Sequence, residues 1–463
     1  MERSLRQIDP AVHLSSEATL EALGEIVSPK QIEKVLRPLG KCELRVRKLT
    51  MVLVVLLCIA MCLYTEEAIE DVLAKLMQGP RFLRPTNDIV TASKGAICQR
   101  RQQLGVAPMV SLFHKICQPL ATPDTPGAYL FGLRLMGIDG SKEDLADTPA
   151  NTSYFGRPGG GRGEGAFPQV LGIYLCECGT HAICDAGFWP CRESEHPGGR
   201  RMLRSVDPEM LVMWDCGFHS FDMCRICLNQ GAQFLSRLPA RVKPIFQQHL
   251  SDGSYLALLR PSHVSHFKKS ERLLVRVIEY KLDDPGRPGH GERRRLITSL
   301  YDEAACPAHA LVCAYHERWE VEITIDEIDT HQRRPLQPLR SRIHLGVLQE
   351  LYGLLIAHYC VRKVMHDAAV QVGVDPDRLS FIKSVRILRN AVFEFQIVAE
   401  SQKTLLYQSM LKDIARSRLP ERANRSNPRV VKRKMSGFDK KREKHRSWPH
   451  PSKPFSEAVV LLI

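Results

Sequence analysis

Residues 315–329 read YHERWEVEITIDEID. On a helix turning about 100° per residue, Tyr315, Arg318, Glu322 and Asp329 fall within a sector roughly 60° wide. Val321, Ile325 and Ile328 gather on a different face that can pack against a core. The stretch therefore predicts a helix with one apolar face and one face carrying a carboxylate, an arginine and a tyrosine. Taken alone it also fits a solvated helix laced with i,i+4 ion pairs.

Two apolar runs further upstream sharpen the reading. LFGLRLMGID ends at Asp139 and reads as a strand, and Glu209-Met-Leu-Val-Met-Trp-Asp215 is a second run closed by an acid. A rigid strand end is a good platform for a carboxylate aimed into a crevice. Asp139, Asp215 and Glu322 lie far apart in sequence yet can converge. Three such carboxylates are able to hold two divalent metals about 3.5–4 Å apart, the arrangement that phosphodiester cleavage uses. Hard oxygen ligands suit Mg²⁺, with Mn²⁺ able to substitute. Asp144, Asp147, Asp185 and Asp222 compete for these roles, and each reads more simply as a turn or capping residue.

The chain of 463 residues is long enough for two to four domains. Its net charge of +14 points to a polyanionic partner, nucleic acid or an anionic membrane surface. The longest apolar run, Met51 to Tyr64, is 14 residues, short for a bilayer, and predicts a buried core helix and no membrane partner. The first residues, MERSLRQIDPAVHLSSEATL, lack the apolar core of a signal peptide, so a cytoplasmic protein with reduced thiols is expected. Among its 15 cysteines, Cys224 and Cys227 form an isolated CxxC. Cys176, Cys178, Cys184 and Cys191 with His181 have the residue types of a zinc site, but hairpin strands point neighbouring side chains to opposite faces.

Residues 1 to about 125 read as helical: Ser28-Pro29 opens a helix through Leu36, Leu49 to Tyr64 is a buried helix, and Glu66 to Met77 is amphipathic. A basic helix follows, capped by Thr91 or Ser93, closed by Gly105 and carrying Lys94, Arg100 and Arg101. It fits the recognition helix of a helix-turn-helix unit, or equally a basic surface helix of a bundle. Asp147 to Gln169 is a Gly/Pro-rich loop without the ending of a phosphate-binding loop. Strands are expected at Val170–Glu177, His181–Phe188, 233–238, Tyr255–Leu259, Leu273–Leu282 and Arg295–Leu300. Helices resume at 315–330, 341–366 and roughly 376–411. Residues 416–446 carry 13 Lys/Arg against three acids, a net +10, and read as a disordered or DNA-ordered arm.

The whole chain resembles a DDE transposase of the insertion-sequence-four group of bacterial mobile elements. IDGSKEDLADTPAN with GRPGG and GAFPQV resembles the segment around the first catalytic aspartate of that family, and LVMWDCGFHSF that around the second. YHERWEVE matches its Y-x2-R-x3-E motif through Tyr315, Arg318 and Glu322. VVKRKMSGFDKKREKHRSWP, which includes Lys432, Arg433 and Lys434, resembles a basic C-terminal segment, and residues around 20–115 a separate N-terminal domain.

The resemblance implies an α/β fold: an RNase H-like mixed-sheet catalytic core over 126–411, with a β-rich insertion at about 217–305 before the last catalytic helix. A helical domain over 1–125 would bind DNA ends, and 412–463 would be a basic tail. It implies water attack at the element's ends, freeing a 3′-OH that attacks further phosphodiesters, often through a hairpin, and finally target DNA. Asp139, Asp215 and Glu322 would be catalytic and metal-binding, while Tyr315 and Arg318 grip a phosphate. The partners would be double-stranded terminal inverted repeats and target DNA, synapsed by a homodimer. Two positions depart from the pattern: Asp329 stands where the family carries a lysine, and Cys216 where many relatives carry a basic residue. A degenerate copy that holds element ends without chemistry is the alternative. An aromatic residue for a flipped base is also expected, with Tyr255, Phe267 and Tyr280 as candidates that equally fit strand cores.

Overall fold

The structure, a computed structural model, describes residues 26–43, 49–78, 92–160, 163–333, 337–420 and 450–462, with short pieces at 430–431, 439–440 and 442–443. Five helices come first: α1 (Pro29–Leu36), α2 (Met51–Leu63), α3 (Ile69–Gln78), α4 (Lys94–Leu104) and α5 (Ala107–Ile116). Their starts follow local chemistry. Ser28 caps α1 and exchanges hydrogen bonds with Gln31 in a capping box, with Pro29 in the first turn. Thr50 caps α2 and Ser93 caps α4, which ends at Gly105 with φ 74°.

A mixed region follows: β1 (Tyr129–Leu130), β2 (Leu133–Asp144), α6 (Pro149–Phe155), β3 (Gly159–Gly160), β4 (Gly163–Glu164), β5 (Gln169–Glu177), β6 (Ile183–Pro190), α7 (Glu195–Met202), β7 (Met210–Trp214), α8 (Phe221–Asn229) and β8 (Gln233–Arg237). Then come β9 (Ile245–His249), β10 (Tyr255–Leu259), β11 (Leu273–Leu282) and β12 (Arg294–Thr298). Helices α9 (Ala308–His316) and α10 (Trp319–Asp326) lead through a π-helical turn, Glu327–Gln332, to α11 (His344–Val372), α12 (Phe381–Ile397) and α13 (Glu400–Arg416). The last described elements are β13 (Val430–Val431), β14 (Asp439–Lys440), α14 (Phe455–Ala458) and β15 (Val459–Leu461).

One sheet runs β6-β5-β2-β7-β8-β12-β11-β10-β9, with β1 on β2 and β15 on β11. Strand β2 pairs parallel with β7, and β7 parallel with β8, whereas β5 and β6 are antiparallel. The β-rich residues after β8 do not form a separate sheet, because β12 bonds directly to β8. Strand β7 is buried at every position, the mark of a strand covered on both faces.

Several expected boundaries move. Strand β2 does not stop at Asp139 but continues to Asp144, because its pairing with β5 runs on to Asp144↔Gln169. The single helix expected over 315–330 is three pieces. It tightens at Glu317–Arg318, where Arg318 N–H donates to Tyr315 at 3.3 Å and Val321 N–H to Arg318 at 3.1 Å. It then widens into the π turn, where Glu327 is drawn in to the buried His358 and Arg362 of α11. The helix expected over 376–411 divides between α12 and α13. Strands β9 and β15 were not anticipated, and the Gly/Pro-rich loop contains α6, capped by Thr148.

Helix α2 is apolar all round and buried except at Val52. It lies along α11, where Gly353 permits the approach: a Cβ there would sit 2.5 Å from the Cys58 carbonyl. No helix among the described residues is long and apolar enough to cross a membrane. The same device places α10 on the sheet. A Cβ on Gly137 of β2 would lie 2.3 Å from Val321 Cγ2. Gly137→Ala is therefore expected to lower the urea-unfolding free energy by about 1–3 kcal/mol through overpacking, and Val321→Ala in the same chain to restore most of it.

Candidate active site

The parallel register of β2 and β7 ends at the pair Ile138↔Trp214. The next residue on each strand is an aspartate, so Asp139 and Asp215 emerge side by side where β7 stops and β2 goes on. Asp215 Oδ1 is held by the backbone N–H groups of Gly217 at 2.8 Å and Phe218 at 3.2 Å, which fixes the carboxylate at the strand end. Helix α10 crosses above with Val321 over Gly137, and Glu322, one residue on, is half-buried beside the strand ends.

Arg318 joins the acids. Its Nη1 donates to Asp139 Oδ2 at 2.9 Å and its Nη2 to Glu322 Oε1 at 2.9 Å. Tyr315 stands behind it: the guanidinium carbon lies 6.0 Å from its ring centre, and its hydroxyl donates to the Trp214 carbonyl at 3.3 Å. Burial pushes the Tyr315 phenol above its usual range. Tyr315 and Arg318 thus bind the protein's own groups in this state, Arg318 as the counter-ion of two acids.

Burial raises the Asp139 carboxyl to about 6; Arg318 and its Gly140 N–H contact oppose the shift, while Glu322 and Asp215 add to it. A carboxyl perturbed by desolvation and by two other acids is what crowding around a cation site produces. The donors are three carboxylates, a hard-oxygen set that fits a divalent metal. The competing acids are engaged elsewhere. Asp185 is buried against Arg204 at 2.7 and 2.8 Å and Ser205 at 2.6 Å. Asp222 accepts from His266 N–H at 3.1 Å, Asp147 pairs with Arg157, and Asp144 accepts from Gln169 at 2.9 Å.

Asp329 lies in the π turn that follows α10. It meets Glu143 of β2 and Arg333. Burial and the neighbouring Glu143 raise its carboxyl above the usual carboxylate range, while Arg333 opposes the shift. Sequence reasoning missed Glu143, although it lies four residues from Asp139 on the same strand face.

The basic helix α4 requires a correction. Arg101 does not face solvent: it is buried against α11, with Nε donating to Gln349 at 3.1 Å and Nη2 to the Gly346 carbonyl at 3.0 Å. Arg100 is half-buried, pairs with Glu43 and donates to the Leu49 carbonyl at 2.9 Å, while Lys94 is exposed. Lys432, Arg433 and Lys434 lie outside the described residues. Cys176, Cys178, Cys184, Cys191, Cys224 and Cys227 are buried free thiols, and Cys216 is exposed beside Asp215. Of the aromatic candidates, Tyr280 is buried, Phe267 packs on Phe221, and Tyr255 is half-buried against Phe246 and His249.

Two strand-borne aspartates and a helix-borne glutamate are gathered on a mixed sheet, an arrangement that fits a metal-dependent DDE site. Comparison with known proteins agrees: residues 148–360 match the family profile of the transposase DDE domain, and residues 17–114 that of the insertion element 4 transposase N-terminal region. The chain belongs to the DDE transposases of the insertion-sequence-four group, enzymes that cut and rejoin DNA using divalent metal ions. It is 27% identical over 438 residues to the transposase InsG for insertion sequence element IS4 of Escherichia coli K12, covering 94% of each chain. It is 28% identical over 149 residues to the putative transposase InsZ of the same strain, 32% of this chain and 50% of that one. A piggyBac transposase synaptic complex with hairpin DNA aligns with a TM-score of 0.38 and 12% identity, over 92% of this chain and 88% of that one.

A divalent metal held at Asp139 would compete with its proton. Mg²⁺ affinity measured by calorimetry is expected to be flat above pH 6 and to fall about tenfold per unit below it. The same shift means the folded chain binds this proton more tightly than the unfolded one. Asp139 therefore takes away stability as pH rises from its ordinary value to about 6, and no more beyond. Arg101→Met is expected to cost on the order of 2–3 kcal/mol in urea unfolding, since it leaves Gln349 and a carbonyl unpaired. DNA-end affinity of the folded fraction, read by gel shift, should not change.

Proposed function

We propose that Asp139, Asp215 and Glu322 are the catalytic carboxylates, that they hold two Mg²⁺ ions, and that Mn²⁺ substitutes. The observation that carries this reading is the ending of the β2–β7 register at Ile138↔Trp214, with Arg318 bridging Asp139 to Glu322. The RNase H-like reading of the core is supported by the order β6-β5-β2-β7-β8, in which three parallel strands are extended on the β2 side by the antiparallel hairpin β5–β6.

When bound, the metal ions activate the attacking oxygen and stabilise the oxygen that leaves. The protein's part is positioning. Asp215 keeps its orientation through two backbone N–H groups, and Asp139 and Glu322 are brought together by the Gly137–Val321 contact. Water attacks the phosphorus at the element's end, the bond from phosphorus to the 3′ oxygen breaks, and a 3′-OH is left. That hydroxyl attacks a second phosphodiester, so one P–O bond forms as another breaks and joins element to target. Arg318, held against the same carboxylates that take up cations, exchanges that pairing for a substrate phosphate beside Tyr315.

The helices α1–α5, with exposed Lys94 on α4, are proposed to bind the terminal inverted repeats. The basic segment 412–463 adds sequence-independent affinity for the backbone. Two copies are proposed to synapse two ends, in a bacterial cytoplasm.

A linear fragment bearing the cognate inverted repeats, incubated with Mg²⁺ or Mn²⁺, should yield a 3′-OH end. Asp139→Asn, Asp215→Asn and Glu322→Gln should each reduce cleavage at least about 10³-fold while end binding survives. Cleavage retained in any one of them removes that residue from the site, and no product with either metal leaves a binding protein without chemistry.

A further inference from the structure

Behind α10, away from Glu322, lies a second group of ligand-type side chains. His181 sits in the turn between β5 and β6, Glu320 on α10, and Asp377 in the 3-10 turn Pro376–Arg378 between α11 and α12. One ligand atom from each lies within 4.8 Å of the others. His181 Nε2 is 2.8 Å from Glu320 Oε2 and 3.2 Å from Asp377 Oδ1. Its Nδ1 faces Glu327 Oε1 at 3.4 Å and also meets the Arg362 guanidinium.

We propose that His181, Glu320 and Asp377 bind one zinc ion, distinct from the Asp139/Asp215/Glu322 metals, which staples the back of the catalytic helix to the sheet and to the α11–α12 connection.

Four observations carry this. The imidazole is buried, 2% exposed, and its residue holds φ 58°, a left-handed conformation that a non-glycine residue adopts only when its surroundings impose it. A lone proton on Nε2 can serve only one carboxylate at a time. Glu320 takes it at 2.8 Å, and Asp377 Oδ1 is left buried without a hydrogen-bond donor. The nearest other cation, Arg362 Nη1, is 3.8 Å from that oxygen, and Arg362 Nε is committed to Glu327 at 2.9 Å. A metal ion engages both carboxylates at once.

The dimensions also fit. Ligands about 2.0–2.2 Å from a tetrahedral zinc stand roughly 3.3–3.5 Å apart, so the His181–Glu320 separation of 2.8 Å and the His181–Asp377 separation of 3.2 Å need open by about half an ångström or less. Glu327 facing the far ring nitrogen is the carboxylate–histidine arrangement that presents Nε2 to a metal. An imidazole donor favours zinc over magnesium, and the half-buried Glu320 and Asp377 leave a fourth position open to water.

The test uses the full chain carrying Asp139→Asn, Asp215→Asn and Glu322→Gln, so that the catalytic crevice does not contribute. After dialysis against Zn²⁺ and then buffer, about one zinc per chain is expected by atomic emission. X-ray absorption should give an N/O first shell that includes imidazole. Adding His181→Gln or Asp377→Asn should weaken zinc binding at least about tenfold, with the circular dichroism spectrum unchanged. If His181→Gln fails to fold, Asp377→Asn at the half-buried end of the site decides alone. No retained zinc in the parent, undiminished zinc in the variants, or sulfur in the first shell overturns the proposal. Each result is independent of DNA cleavage by the wild-type chain, where the catalytic reading is tested.

Discussion

The guanidinium of Arg318 joins a sheet acid, Asp139, to a helix acid, Glu322, and the crevice depends on it. Asp139, Asp215 and Glu322 converge within a half-buried space, and like charges so placed repel. Arg318 spans from Asp139 to Glu322 with two hydrogen bonds of 2.9 Å and offsets that repulsion. The bridge forms only because α10 can descend onto β2, which Gly137 permits by having no Cβ to strike Val321. Electrostatics and packing are thus one constraint: a side chain at residue 137 would lift the helix and separate the arginine from the aspartate.

A second layer keeps α10 from rotating. Glu327, at the start of the π turn, is buried and accepts from His358 Nε2 at 3.0 Å and Arg362 Nε at 2.9 Å, both on α11. A buried carboxylate with two buried side-chain partners holds its element more firmly than apolar contact alone, because leaving either partner unpaired costs the desolvation of that group. Helix α11 is in turn clasped by α2 through Gly353 and by α4 through Arg101 and Gln349. The N-terminal helices thus support α10 from behind through α11.

Much of this was legible in the residues, within limits that have physical causes. Strands β10 and β11 begin and end where the apolar alternation does, and α1 begins at its capping box. Asp215 closes its strand as the apolar run predicts. Asp139 does not, because hydropathy registers burial, whereas strand length is set by the partner β5, which keeps pairing past the last apolar residue. Arg101 looked like a surface cation because composition carries no sign of a buried glutamine 248 residues away. His181 was weighed with the cysteines beside it in sequence, but its partners Glu320 and Asp377 come from distant elements that only the tertiary fold assembles.

The same limit governs Asp329. A constant 100° per residue sets it on the face of Glu322, where an acid in place of a lysine would repel a phosphate backbone. In the structure Asp329 lies in the π turn, beside Glu143, with Arg333 returning to both. The departure from the family's lysine is therefore a rearrangement of charge in which Arg333, four residues on, supplies the cation. Its guanidinium is 10% exposed at the rim of the strand face that carries Asp139. The acid at residue 329 is thus held in the protein's own ion cluster with Arg333 and Glu143.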